Sequence, residues 1–287
     1  MAIAPKSLLL RCAMSAVKLS DSNFAYFSTF MILDDIVTST QKRVALLKDE
    51  YSLLQLEKKM TDDKPRPFQS ALKHESRLGL IAEIKRASPS KGLISPDFDV
   101  EKMAALYRDG GADCLSVLTE PDFFQGHNDY LKQARDVSGL PVLRKDFIIS
   151  DLQIAEARLL GADCILLIAA ILRDWEIRAF KHIAARYGMD ALVEIHDEAE
   201  AQRALANGCD FVGINNRNLK TFEVDLSTTE RLRPLLPANV TVVAESGIST
   251  RSDAQRLRSC GANALLVGES LMKSGDVNLA IRDLLEP

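Results

Sequence analysis

The segment Leu80-Ile-Ala-Glu-Ile-Lys-Arg-Ala-Ser-Pro-Ser-Lys-Gly92 sets Glu83 and Lys85 two residues apart inside an apolar run. A strand alternates its faces, so Leu80, Ala82 and Ile84 can lie against a hydrophobic layer while Ile81, Glu83 and Lys85 share the other side. Charges are costly to bury without partners, so the pair is either a structural ion pair or equipment for proton transfer. Four further apolar runs end in the same way. Pro141-Val-Leu-Arg-Lys-Asp-Phe147 puts Lys145 in line with Leu143, and Leu192-Val-Glu-Ile-His196 carries Glu194. Gly213-Ile-Asn-Asn-Arg-Asn218 carries Asn215, and Val243-Ala-Glu-Ser-Gly-Ile248 carries Glu245. Two lysines, three glutamates and an asparagine at equivalent positions can donate and accept protons around one reacting molecule. His196 reads as a satisfied loop histidine rather than a base. Arg144 should face away from Lys145 and pair with a flanking helix or loop, whereas Arg217 is better placed to meet an anion.

These groups converge only if the runs are neighbouring parallel strands. Gly111-Ala-Asp-Cys-Leu-Ser-Val-Leu-Thr-Glu120 is echoed by Gly161-Ala-Asp-Cys-Ile-Leu-Leu-Ile168, Gly208-Cys-Asp-Phe-Val-Gly-Ile214 and Gly261-Ala-Asn-Ala-Leu-Leu-Val-Gly268. Each is a glycine suited to end a helix, followed by a short apolar run suited to a strand covered on both sides. Segments 79–85, 141–145, 190–194 and 240–244 supply four more strands. Amphipathic stretches alternate with them; Asp151 to Leu160 carries Leu152, Ala155, Leu159 and Leu160 on one helical face. Strict alternation implies a parallel sheet, and eight units from residue 79 onward fit an α/β fold, the eightfold (β/α) TIM barrel. An open doubly wound sheet is disfavoured because no GxGxxG follows the first strand. Barrel active sites lie at the carboxyl ends of the strands, with phosphate commonly bound by the last two loops. Here those loops are Glu245-Ser-Gly-Ile248 and Val267-Gly-Glu-Ser270, and together they point to a phosphorylated substrate.

The chain of 287 residues is 47% hydrophobic with a formal net charge of -4. It can bury a large core, and it has no basic block to meet a nucleic acid or an anionic membrane. Its five cysteines form no CxxC pair and read as small core residues of a reducing cytosol. The four histidines are scattered singly, and no metal is expected. No apolar run is long enough to cross a bilayer. Residues 1–30 contain Lys6, Arg11 and Lys18 with no acid before Asp21. They read as an extension outside the fold, with organellar import the lesser alternative to a cytoplasmic location. Residues 31–287 then form a single barrel domain. Its segment 31–60 is expected as an additional helix, with Val37, Val44 and Tyr51 on one stripe and Leu47 and Leu54 beside it, packed on the barrel as a lid or plug. Asp62-Asp-Lys-Pro-Arg-Pro67 ends that helix.

From Met31 to the carboxyl end the chain resembles the indole-3-glycerol phosphate synthase family of tryptophan biosynthesis. IAEIKRASPSKG, the FFQGH of Phe123 to His127, LRKDFI, LVEIH, GINNRNL, AESGI and VGESLM stand in the family's order. The resemblance implies a carboxy-lyase that needs no cofactor. It closes a ring in 1-(2-carboxyphenylamino)-1-deoxyribulose 5-phosphate, releases carbon dioxide and water, and gives indole-3-glycerol phosphate. Lys145 then matches the general acid for ring closure. Glu194, Glu83 and Lys85 match groups for the later proton transfers, with the division among them open, and Asn215 and Glu245 match residues that bind hydroxyls and orient the lysines. Ser246, Gly247, Gly268 and Glu269 match the phosphate cradle. Ser88 and Arg217 should line the mouth, and Phe124, Phe147, Leu166 and Leu219 match the walls of an apolar slot for the anthranilate ring. The partner is a small phosphorylated substrate. The oligomeric state stays open between a monomer and a weak homodimer, as does association with other tryptophan-pathway enzymes. A non-catalytic barrel that binds a phosphorylated metabolite is the alternative.

Overall fold

The computed structural model describes residues 21–95 and 97–286, with residues 21–31 described by their backbone alone. Eight parallel strands close a barrel: β1 (Gly79–Ile84), β2 (Cys114–Leu118), β3 (Val142–Lys145), β4 (Cys164–Ile168), β5 (Asp190–Ile195), β6 (Phe211–Asn215), β7 (Thr241–Glu245) and β8 (Ala264–Val267). They lie in sequence order, and β1 pairs with both β2 and β8. Each segment expected as a strand is one. Beyond β1, residues Ala87–Ser88 and Gly92–Leu93 form a small antiparallel hairpin over the barrel mouth's loop region.

The two faces of each strand bury different partners. Leu80, Ala82 and Ile84 pack outward in the layer shared with the helices, with Leu115, Val117, Leu167 and Val193. Ile81 instead joins Cys114, Leu143, Cys164, Leu166, Leu192, Phe211, Val243 and Ala264 inside the barrel. Full burial of such a side chain contributes roughly 1.5–3 kcal/mol, so a one-residue slip of β1, which would exchange its faces, is strongly opposed. Phe68 and Leu72 fill the amino end of the interior. Their segment is tied there by Asp163, which accepts from the Arg66 N–H at 2.7 Å, and by Asp190, which accepts from the Gln69 N–H at 2.8 Å. The barrel-facing charges Glu83, Glu194 and Glu245 lie toward the opposite, carboxyl end.

The N-terminal helix departs from expectation. It runs from Asp21 to Glu50 as one element, with no glycine or proline in that span to stop it, so its backbone begins ten residues before Met31. Residues 1–20 of the expected extension lie outside the described residues. The helix also ends sooner than residue 60. A second short helix, Leu53–Glu57, restarts behind a capping box of Ser52 and Gln55. The buried stripe is Ile36, Thr40 and Val44, spaced by four residues as a helix face requires. Val37, Leu47 and Tyr51 are only partly buried. Leu54 is exposed because the new helix resets the register, and Leu56 takes the contact with Leu152 and Ala155 instead. Arg43 anchors the helix at 3.3 Å from Asp146 and 3.7 Å from Glu120, and the Ser39 hydroxyl donates to Asp122. No helix among the described residues is long and apolar enough to cross a membrane.

Candidate active site

A cavity of about 660 Å³ opens at the carboxyl ends of the strands, and every residue nominated from the sequence lines it. At its floor, the Lys145 ammonium at the end of β3 donates to Glu194 Oε2 of β5 at 2.8 Å and to Glu245 Oε2 of β7 at 2.9 Å. Lys85, just past β1, pairs with Glu83. Glu83, Glu194 and Glu245 are all buried, a placement that costs several kcal/mol per unpaired charge and here is offset by the two lysines.

The electrostatics separate the two carboxylates that share Lys145. Burial opposes the charge on Lys145, but Glu194, Glu245 and Glu83 outweigh it and hold the ammonium ionised far above its ordinary range. Burial likewise favours neutral Glu194; Lys145 and His196 overcome it and keep this carboxyl well below the usual carboxylate range. Glu245 has only its share of Lys145. Burial and the charge of Glu194 push it up to about 7, and its Oε1 has no hydrogen-bond partner among the described residues. One carboxylate is thus fixed as an ion, and its neighbour can exchange a proton near neutrality.

Two glycines make this packing feasible. A Cβ at Gly213 in β6 would lie 2.0 Å from Glu245 Oε1, and one at Gly268 after β8 would lie 2.6 Å from Glu83 Oε1. Gly213 was not singled out in the sequence, because its partner is in the neighbouring strand and only the register of β6 with β7 brings them together. Gly268 carried a phosphate reading alone.

One side of the cavity is apolar. Phe124 and Phe147 hold their rings 6.1 Å apart at 36°, beside Leu118, Leu166 and Ile168, and the N-terminal helix adds Ile32, Leu33 and Ile36. The loop bearing Phe124 is pinned by Glu120, which accepts from the N–H groups of Asp122, Phe123 and Phe124 at 3.1, 2.7 and 3.0 Å. Gly126 is required there, since a Cβ would meet the Leu118 carbonyl at 2.5 Å. The helix residues were missed as site residues because their stripe reads equally well as plain packing.

The other side is polar and tightly turned. Ser246 and Gly247 follow β7 with φ of 66° and 79°; the left-handed Ser246 costs on the order of 1 kcal/mol, a strain typical of functional turns. Gly268 and Glu269 complete this end, with Lys91 and Lys273 lying 3.9 and 2.7 Å from the Glu269 carboxylate. Neither lysine stands at a strand end, so neither was legible as a site residue. Asn215 accepts the Arg217 N–H at 3.0 Å, and the Arg217 guanidinium donates to the Phe222 carbonyl at 3.1 Å. Arg217 therefore braces the loop that carries Leu219 to the cavity as well as lining it. Arg144 faces away, as expected, and pairs with Glu156 at 2.7 Å and Asp146 at 3.3 Å. His196 does not line the cavity; it stands against Glu194 at 3.2 Å.

Residues 33–284 match the family model described as indole-3-glycerol phosphate synthase. The chain is 48% identical over 257 residues to the indole-3-glycerol phosphate synthase of Desulfotalea psychrophila, covering 89% of this chain and 99% of that protein. Against the synthase of Azospirillum brasilense the identity is 54% over 209 residues, covering 73% and 80%. Among solved structures, 3-hexulose-6-phosphate synthase from Salmonella typhimurium superimposes with a TM-score of 0.59 at 13% identity, covering 72% of this chain and 96% of that one. N-acetylmannosamine-6-phosphate 2-epimerase from Clostridium perfringens gives 0.54 at 16%, covering 73% and 93%. At such identities these two bear on the barrel fold alone. With a family match across most of its length and full-length relatives near half identity, the chain belongs to the indole-3-glycerol phosphate synthase family.

Proposed function

We propose that the charged floor of the cavity carries out ring closure, decarboxylation and dehydration of 1-(2-carboxyphenylamino)-1-deoxyribulose 5-phosphate. The observation that carries this reading is Lys145 held between Glu194 and Glu245 in a cavity with an apolar slot on one side and a glycine-bearing turn on the other. The aromatic ring lies between Phe124, Phe147, Leu166 and Leu219, and the phosphate lies against Ser246, Gly247, Gly268 and Glu269 near Lys91 and Lys273. Ser88 and Arg217 border the ribulose chain between them.

The ring carbon that bears the carboxylate attacks the ribulose carbonyl, and Lys145 protonates the oxygen as charge develops on it. Carbon dioxide then leaves without its bonding electrons, which restore the aromatic ring. Lys85, beside Glu83, protonates the departing hydroxyl, and Glu194, already ionised, takes a proton from the ring methylene carbon beside the nitrogen as the double bond forms between that carbon and the one losing the hydroxyl. Asn215 and Glu245 hold the substrate hydroxyls, and Glu245 keeps Lys145 in place. The balance is one carbon dioxide and one water lost per product. The site supports this chemistry with side chains alone, in a cytoplasmic enzyme acting as a monomer or weak homodimer; light scattering that gave a larger stable assembly would overturn the last point.

Steady-state kinetics test the assignment. Lys145→Ala should fold normally and lose roughly two to four orders of magnitude in kcat, the usual scale for a positioned acid or base; full activity would refute the role of Lys145. Glu194→Gln should lose kcat with comparable severity, not rescued by more substrate, whereas a rise in KM alone would make Glu194 a binding group.

A further inference from the structure

His196 and Glu200 form a second layer behind the reacting carboxylate. Asp197 caps the helix Glu198–Ala206 by accepting the Glu200 N–H at 2.8 Å, and this turns the Glu200 side chain back toward β5. There Glu200 Oε2 accepts the His196 backbone N–H at 2.8 Å and sits 3.0 Å from its ring Nδ1. The ring's other edge carries Nε2 to within 3.2 Å of Glu194 Oε1. That contact is an ion pair rather than an aligned hydrogen bond, since Nε2 is buried and has no hydrogen-bond partner among the described residues. Glu194 thus meets Lys145 with Oε2 and His196 with Oε1.

We propose that His196, backed by Glu200, is a positioning residue that fixes the rotamer of Glu194 and keeps its carboxylate ionised for proton transfer. The inference rests on the reading of Glu194 as a proton acceptor. The groups acting on His196 are Glu194 of β5, the strand that His196 follows, and Glu200 of the next helix; together they outweigh burial and push the imidazole up to about 10. Lys145 from β3 and Glu245 from β7 also face Glu194. A cationic His196 adds the second positive charge that Glu245 lacks. It therefore decides which carboxylate flanking Lys145 holds a proton near neutrality.

The test compares His196→Gln, His196→Asn and Glu200→Gln with the parent enzyme across pH, with Glu194→Gln measured in parallel. Loss of the imidazolium destabilises ionised Glu194, so the acidic limb of kcat should move upward by about one pH unit, a tenfold change in proton concentration. At neutral pH kcat should fall on the order of tenfold, the scale on which outer partners act on a reacting group, with KM little changed. Glu200→Gln should shift the limb in the same direction by less. An unchanged pH profile in both His196 variants, or a change in KM alone, overturns the proposal while leaving Glu194 in its role. Full activity of Glu194→Gln overturns both. Circular dichroism melts of each variant separate loss of folding from loss of function, and a fold lost in both His196 variants but kept in Glu200→Gln leaves the limb shift of the latter to decide.

Discussion

At the level of single residues, the site works because neighbouring side chains make unlike environments for like groups. Glu194 and Glu245 touch the same ammonium, yet one is held ionised and the other is pushed up to about 7. Gly213 protects that arrangement. In Gly213→Ala the new methyl would clash with Glu245 Oε1, an overpacking that costs about 1–3 kcal/mol and turns the carboxylate away from Lys145. Gly213→Ala should lose turnover to about the level of Glu245→Gln, and the double variant should lose no more, since both act on one contact; additive losses in kcat would contradict this. His196 also ties stability to pH. Its folded value lies near 10 against an ordinary 6.5, so its stabilisation is fully present below about pH 6.5 and is lost as pH rises toward 10. The gap in melting temperature between parent and His196→Gln should therefore narrow from pH 6 to pH 10. A constant gap would mean that the imidazole is neutral in the folded protein.

At the level of elements, β1, β3, β5, β6 and β7 deliver the charged and polar groups, β2, β4 and β8 deliver apolar ones, and the loops and N-terminal helix shape the space around them. Arg43 joins that helix to the loops after β2 and β3 through Glu120 and Asp146, both fully buried side chains. Arg43→Ala removes a charged hydrogen-bonding partner and should destabilise the fold by about 1–3 kcal/mol in urea denaturation. Since the described residues that the helix brings to the cavity are Ile32, Leu33 and Ile36, KM should rise more than kcat falls. An unchanged denaturation midpoint together with unchanged KM would show that the helix is held by its Ile36, Thr40 and Val44 stripe alone.

Across the whole molecule, what could be read in advance was what local pattern dictates. The glycine echoes and apolar runs marked all eight strands, and the polar strand ends marked the cavity because parallel closure sends every such end to one side. The start of the helix at Asp21 was hidden because no capping signal outweighs the acids after Met31, and exposed Leu54 was hidden because the break at Glu50 resets the helical register. The place of His196 behind Glu194, the space kept open by Gly213 and the approach of Lys91 to Glu269 depend on contacts between separate elements, which no spacing along one segment encodes. The most direct measurement is to incubate the purified chain with the carboxyphenylamino-deoxyribulose phosphate and a chelator, following product fluorescence and carbon dioxide together. The structure predicts sustained turnover with one carbon dioxide per indole-3-glycerol phosphate, slowed by roughly two to four orders of magnitude in Lys145→Ala. A folded chain that binds the compound and releases neither would contradict the assignment of catalysis to this cavity.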